Sequence, residues 1–246
     1  MEPSGKAYNG TSVNNKKRNL QQMKNTDTIG TYVLETLKTR YEVTEKDIGS
    51  DAKLDKGLMH FTVRSFDIAG IGTLCLLNMK GMFGLMKMET VVISSFTKDV
   101  PLLNIDTIRA MGNTTRLAEL YDTRIKEKNS RLEEACQAIK DADRDLPDYS
   151  SGPHWYDDFR MACTYGKKTK GNDNLRTKTS CMKYFDAYMK ELELAEDCDP
   201  EAKRKANRVL PDGLLEHGGP AVDQVRKMFG EELASRLVLT HMYGIE

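Results

Sequence analysis

The stretch ETVVISSFTKDVPLLNID, residues 89–106, holds two apolar runs joined by a short polar connection that ends at Pro101. Similar segments precede and follow it between residues 58 and 122: LMHFTVRSF, GTLCLLNMK, MKMETVVIS, LLNIDTIRAMG and RLAELYDT. Their lengths and alternation are typical of β-strands. Short links permit hairpins, whereas parallel neighbours need long crossovers. The sequence therefore predicts an antiparallel meander.

Helical patterns lie on both sides of this region. Ile29, Tyr32, Val33 and Leu37 share one face of a short helix, with Thr28 or Asp27 placed as its N-cap. Apolar residues of 125–139 follow helical spacing, and further helices are predicted to start at Asp199-Pro200 and Gly219-Pro220. The order helix, strands, helices predicts a single α+β domain over residues 26–246, with helices on the faces of the sheet, after a disordered tail over 1–25.

The composition and the absent motifs argue against several classes of protein. The 246 residues are 39% hydrophobic and 30% charged, and 37 Lys and Arg balance 37 Asp and Glu, so net charge favours no nucleic-acid partner. No run approaches the roughly 20 apolar residues of a membrane span. The five cysteines are scattered without a CxxC pair, which favours reduced thiols in a cytoplasmic protein. HExxH, GxSxG and P-loop motifs are absent, and the four histidines do not cluster.

Two carboxylates stand out in the opening stretch. Alternation places Glu89 on the same strand face as Val91 and Ile93, where a carboxylate is costly unless it is paired, protonated or open to a polar cavity. Such surroundings raise a carboxyl pKa and suit it to proton transfer. The alternative is a solvated position at the strand start. For Asp106, the alternative to chemistry is an N-cap for a turn or helix starting at Thr107.

The segment DVPLLNIDTI resembles the DLPxxxxD segment of the ferredoxin-dependent bilin reductases. The resemblance implies that Asp106 is a catalytic proton donor. The catalytic His of that family falls on Glu89 when no gap is allowed, so an acid stands in place of a base. A further acidic residue of the family falls near Leu77 and Asn78 and is not retained. Red chlorophyll catabolite reductases share the fold and vary these acidic positions.

Other segments resemble the same family over roughly residues 55–246: YDDFRMACTYGKK, CMKYFDAYMKELELAE and MFGEELASRLVLTHMYG. The resemblance implies a three-layer α/β/α sandwich with a central antiparallel sheet, and a ligand between the sheet and the C-terminal helices. It implies no flavin or metal in the chain, and electrons from an external ferredoxin. Thr115 and either Lys167 or Lys168 would hold propionates of the ligand. The basic segments KKTKGNDNLRTK, expected as a loop, and KRKANR, residues 203–208, would dock ferredoxin or form solvated surface.

The sequence thus favours reduction of a linear tetrapyrrole, with Asp106 and Glu89 as proton donors and no membrane partner. One alternative is a protein of this fold that binds a tetrapyrrole or another planar anion without reducing it. A third is a homologue whose pocket is filled by apolar side chains. The methionines of KGMFGLMKME would form either an adaptable ligand surface or ordinary core packing.

Overall fold

The computed structural model describes residues 28–126, 130–150, 152–171 and 173–246, so the tail predicted over 1–25 lies outside the described residues. The strands are β1 Val43–Glu45, β2 Lys53–Lys56, β3 Met59–Ile68, β4 Gly72–Gly81, β5 Met86–Ser95, β6 Leu102–Ala110, β7 Asn113–Tyr121 and β8 Tyr165–Thr169. The helices are α1 Ile29–Lys38, α2 Arg131–Ala142, α3 Asp173–Leu194, α4 Pro200–His217, α5 Pro220–Phe229 and α6 Glu231–Arg236, with a π-helical segment Leu237–Met242 after them.

The sheet is antiparallel throughout, in the order β1-β3-β4-β5-β6-β7-β8, with β2 also paired to β3. Five consecutive strands, β3 to β7, are joined as hairpins, which confirms the predicted meander. Strands β1 and β2 were not predicted, because strands of three and four residues are too short to show alternation.

Helices cover both faces of the sheet. On one side, called the α1 face, α1, α2 and α3 pack on Val91, Ile93 and Ile105 through residues such as Val33 and Phe185. On the other, called the α4 face, α4, α5, α6 and the π-helical segment cover residues such as Leu77 and Val92, contributing side chains that include Leu210, Val225 and Leu237. The predicted α+β class and three-layer α/β/α sandwich are confirmed. None of the described helices combines the length and apolar character needed to cross a membrane.

Two predicted helix starts are confirmed by their caps. The Thr28 hydroxyl accepts a hydrogen bond from the Thr31 N–H at 3.1 Å at the start of α1. The Asp199 carboxylate accepts one from the Ala202 N–H at 2.7 Å at the start of α4, where Pro200 is the first helical residue. The side-chain acceptors satisfy N–H groups that a helix leaves unpaired.

Two local expectations were wrong. Asp106 does not cap a helix, because it lies in the middle of β6. The basic segment that starts at Lys167 is not a loop, since its first residues complete β8 and residues from Asp173 onward form α3. Pairing of β8 with β7 overrides the loop-like composition of this segment.

Candidate functional site

The two carboxylates singled out in the sequence lie on opposite faces of the sheet. Thr90, not Glu89, is directly opposite Asp106 across the β5–β6 pair, and directly opposite residues share a face. Glu89 therefore points to the α1 face, with Val91 and Ile93 as predicted, and Asp106 points to the α4 face. A one-residue step along a strand reverses the face, so Glu89 and its neighbour Thr90 point to opposite sides of the sheet. The structure thus does not bring the two predicted proton donors together on one face of the sheet.

Asp106 is held by two polar neighbours on its own face. The Thr90 hydroxyl donates to Oδ1 at 2.5 Å, and the Asn104 amide donates to Oδ2 at 2.8 Å. Burial, with a smaller contribution from the nearby Glu119 charge, raises the pKa of Asp106 to about 6, although the two hydrogen bonds oppose the rise. The side chain nevertheless remains partly exposed. A carboxyl with this pKa can both donate and accept a proton near neutral pH.

A second carboxylate, Glu119, lies on the same face of β7. Its Oε2 accepts from the Tyr121 hydroxyl at 2.9 Å, and its Oε1 accepts from Arg160 Nη1 at 3.1 Å. This paired carboxylate is 6% exposed. Burial, followed by the charges of Asp106 and Glu119, raises the pKa of the Tyr243 phenol. This polar group therefore combines the Asp106 carboxyl of raised pKa with the Glu119–Arg160 ion pair and the phenolic O–H groups of the two tyrosines.

Aromatic side chains enclose one side of this group. The rings of Tyr121 and Tyr156 meet edge to face with centroids 5.7 Å apart, and His154 stacks on Tyr156 at 4.8 Å. Trp155 packs edge to face on Tyr156 and donates its indole N–H to the Gly218 carbonyl at 2.9 Å. The segment before β8 is thereby fixed against the C-terminal helices.

An apolar strip continues from Asp106 toward the β4–β5 and β6–β7 hairpins. Its side chains face the α4 side and are only partly buried: Met86, Met88, Ile108 and Leu117. The two methionines pack against the core while part of their surface stays open. Both predicted roles, core packing and an adaptable ligand surface, are therefore compatible with their position. The strip could receive a flat apolar ligand beside the carboxyl group.

Thr115 and Lys168 stand at the far end of this strip. They are directly opposite each other across the β7–β8 pair, and Ile108 on β6 is opposite Thr115. Thr115 is two residues along β7 from Leu117, the residue opposite Asp106, which corresponds to about 7 Å along the strand. Lys168 is exposed. A cation and a hydroxyl at this position suit a ligand carboxylate.

Lys167 points to the opposite face of β8 from Lys168, and its contacts stabilise the fold. It is 2% exposed, and its Nζ donates to the Leu146 carbonyl at 3.0 Å and to Asp148 at 2.7 Å. Of the two lysines considered for a propionate, only Lys168 shares the face of Asp106.

The basic segment 203–208 is also less exposed to solvent than its composition predicts. Lys203 is fully buried and donates to the carbonyls of Val100 and Thr123, both at 2.7 Å. The Arg204 guanidinium lies over the Phe96 ring at 3.9 Å. Neither of these residues is an unengaged surface charge, and Lys167 is buried as well, so each basic segment is only partly exposed.

Glu89 caps helix α1. Its Oε2 accepts from the Ile29 N–H at 3.2 Å and its Oε1 from the Gly30 N–H at 3.0 Å. The positive end of the helix dipole favours a carboxylate here. The cost of a carboxylate near Val91 and Ile93 is thus met by pairing, one of the three conditions considered from the sequence.

Four residues around Asp106 were not predicted from the sequence: Thr90, Asn104, Glu119 and Tyr243. Asn104 and Asp106 are two residues apart in one strand, so alternation alone could have joined them. Glu119 in RLAELYDT could have been found by the same rule. Tyr243 comes from the C-terminal segment, and no local pattern links it to β6. Within the described ranges, no three His, Cys, Asp or Glu side chains are grouped to hold a metal.

Comparison with known proteins supports the architecture. No protein-family model matches the chain, and no curated protein matches it in sequence. The crystal structure of phytochromobilin synthase from tomato, in complex with biliverdin, matches with a TM-score of 0.68 at 13% sequence identity. The match covers 87% of this chain and 81% of the tomato chain. The resemblance to bilin reductases noted in the sequence is therefore confirmed as a likeness of fold.

Proposed function

We propose that this protein reduces a linear tetrapyrrole with electrons from an external ferredoxin, and that Asp106 donates protons to the substrate. The observation that carries the proposal is the position of Asp106: a carboxyl of pKa about 6 in mid-strand, at the end of a partly open apolar strip. The carboxyl faces the C-terminal helices, the side on which the family resemblance places the ligand.

Three features support a tetrapyrrole as the ligand. The fold is that of a protein solved with biliverdin. Met86, Met88 and Ile108 offer a flat apolar surface next to the proton donor. Thr115 and Lys168 at the end of the strip would hold a propionate, with the lysine as a compact positive charge.

The reaction takes up two electrons and two protons for each double bond reduced. Ferredoxin delivers the electrons singly, and Asp106 passes a proton to the pyrrole system. The hydroxyl of Thr90 and the amide of Asn104 then stabilise the carboxylate that remains. Because Asp106 is partly exposed, water can return the proton before the second transfer. Glu89 takes no part in this scheme, since it lies behind the sheet.

A second candidate function is tetrapyrrole or planar-anion binding without reduction. One observation favours it: the residue that faces Asp106 across the strands is Thr90, which cannot donate a proton at neutral pH as an imidazolium would.

The two candidates are separated by titrating the full chain with biliverdin and following its absorbance, then adding reduced ferredoxin without oxygen. The proposal predicts saturable, red-shifted absorbance that bleaches or shifts when electrons arrive. Saturable binding with no electron-dependent change would favour the binding protein. An unchanged spectrum at every biliverdin concentration would contradict both the reductase and a tetrapyrrole-binding protein, and the likeness would then be one of fold alone.

A further inference from the structure

A cavity of about 170 Å³ lies on the α1 face, on the far side of the sheet from Asp106. It opens between the N-terminus of α1 and strands β4 to β7, and its lining includes Ile29, Asn78, Glu89 and Thr107. Pockets for drug-sized ligands have volumes of roughly 300–1,000 Å³. This cavity therefore suits a small ion or molecule and is separate from the proposed tetrapyrrole strip.

The lining is strongly cationic. Five basic side chains of the described part of the chain contribute to it: Lys80, Lys87, Arg109, Arg116 and Lys178. Arg116 and Lys178 are buried, at 1% and 8% exposure, whereas the other three are exposed at the rim. Among the described residues of the lining, Glu89 is the single carboxylate. Clefts lined by one sign of charge concentrate ions of the opposite sign.

Two buried polar groups in this lining have no partner among the described residues. One is the Thr107 hydroxyl, whose residue is 7% exposed, and the other is the Arg116 Nε–H. The Arg116 guanidinium is held from behind, because its Nη1 donates to the Asn174 carbonyl at 2.7 Å and to the Thr177 hydroxyl at 2.8 Å. A buried donor without an acceptor is costly, so the two groups point to a ligand that accepts hydrogen bonds.

The N–H groups at the start of helix α1 do not need a ligand as their acceptor. Glu89 already accepts from the N–H groups of Ile29 and Gly30. An incoming anion would instead meet Thr107, Arg116 and the rim cations. Among the described residues, Lys80, Lys87 and Arg109 form no ion pair, so their charge is available to it.

We propose that this cavity binds a compact oxyanion with two or more negative charges, of the phosphate or carboxylate type. Thr107 and Arg116 would donate hydrogen bonds to its oxygens, and Lys87 and Arg109 would attract it at the rim. Arginine matches the geometry of phosphate and carboxylate groups alike. Glu89 limits the affinity, because its carboxylate lies in the same cavity.

The test is calorimetric titration of the full chain with inorganic pyrophosphate and, separately, with citrate. One variant is Thr107→Val, which keeps the side-chain shape and removes only the unpaired hydroxyl. A second is Lys87→Gln/Arg109→Gln. Its matched control is Lys190→Gln/Lys205→Gln, which removes two exposed lysines away from the cavity lining.

The proposal predicts saturable binding of at least one of the two probes with one site per chain. Affinity should fall about tenfold in Thr107→Val, the loss expected for one hydrogen bond to a charged group, while the urea midpoint does not fall. Lys87→Gln/Arg109→Gln should weaken binding by more than the matched control. The response to pyrophosphate against citrate identifies the oxyanion type.

Three results would overturn the proposal. The first is the absence of saturable heat with both probes. The second is equal loss of affinity in Lys87→Gln/Arg109→Gln and in its control, which would indicate binding by overall charge. The third is unchanged affinity in Thr107→Val, which would show that the unpaired hydroxyl does not face a ligand.

Discussion

The stability of the Asp106→Asn variant should depend on pH in a way that reports the raised pKa of Asp106. The folded protein holds this carboxyl at a pKa of about 6, against an ordinary value of 3.8. The folded state therefore binds the proton more tightly than the unfolded state between these values. In the wild type, the ionised carboxylate costs stability above pH 6, and this cost disappears as the pH falls toward 4.

The magnitude follows from the two pKa values. At pH 8 the ionised carboxylate lowers the free energy of unfolding by about 3 kcal/mol relative to a permanently protonated group, and at pH 5 by about half as much. Asn cannot ionise, so the stability of Asp106→Asn relative to the wild type should be more favourable at pH 8 than at pH 5 by about 1–2 kcal/mol. The substitution also changes the hydrogen bonds with Thr90 and Asn104. That change alters stability equally at pH 5 and pH 8, so it cancels in the difference between them.

Urea unfolding followed by circular dichroism at pH 5 and pH 8 measures this difference. With a slope near about 3 kcal/mol/M, the relative midpoints should move by about 0.5 M. Asp67→Asn serves as the control, because that carboxylate is 58% exposed on the same sheet. A stability difference between Asp106→Asn and the wild type that is identical at the two pH values would refute the reasoning.

Further predictions concern the α1 cap, the aromatic wall and the two lysines of β8. Replacing Glu89 with Ala should destabilise the protein by about 1–3 kcal/mol, because two buried helix N–H groups lose their acceptor, and hydrogen exchange at these amides should accelerate; unchanged protection would contradict the cap. In Gly213→Ala the new methyl group would lie 2.1 Å from the Trp155 ring, so fluorescence of this single tryptophan should change and stability should fall by about 1–3 kcal/mol; an unchanged spectrum would argue against the packing. Lys168→Met should weaken biliverdin binding without loss of stability, whereas Lys167→Met should lower the urea midpoint because the carbonyl of buried Leu146 loses its hydrogen-bond donor; the reverse pattern would assign the propionate to the other lysine.

The architecture was predictable because its signals are local. The hairpin links of the meander, the alternation in β5 and β6, and the caps at Thr28 and Asp199 are each read from a few adjacent residues. The side of the strand on which Glu89 lies was also predictable, since alternation with Val91 fixes it.

The grouping of the site residues was not predictable in the same way. Which residue of β5 faces Asp106 depends on the pairing register, and an error of one residue moves a side chain to the other face. The burial of Lys167 and Lys203 depends on carbonyl partners that are 21 and 80 or more residues away in the chain. Such contacts leave no pattern in the local sequence, so composition alone indicated basic surface.

The central claim is that Asp106 supplies protons to a bound tetrapyrrole, and its most direct test is the anaerobic rate of biliverdin reduction by reduced ferredoxin. We expect Asp106→Asn to bind biliverdin and to reduce it at least about a hundredfold more slowly than the wild type, the effect typical of losing a general acid. Asp67→Asn should react at the wild-type rate. A wild-type rate in Asp106→Asn would contradict the account. If Glu89→Gln also lost the rate, the chemistry would lie on the opposite face of the sheet.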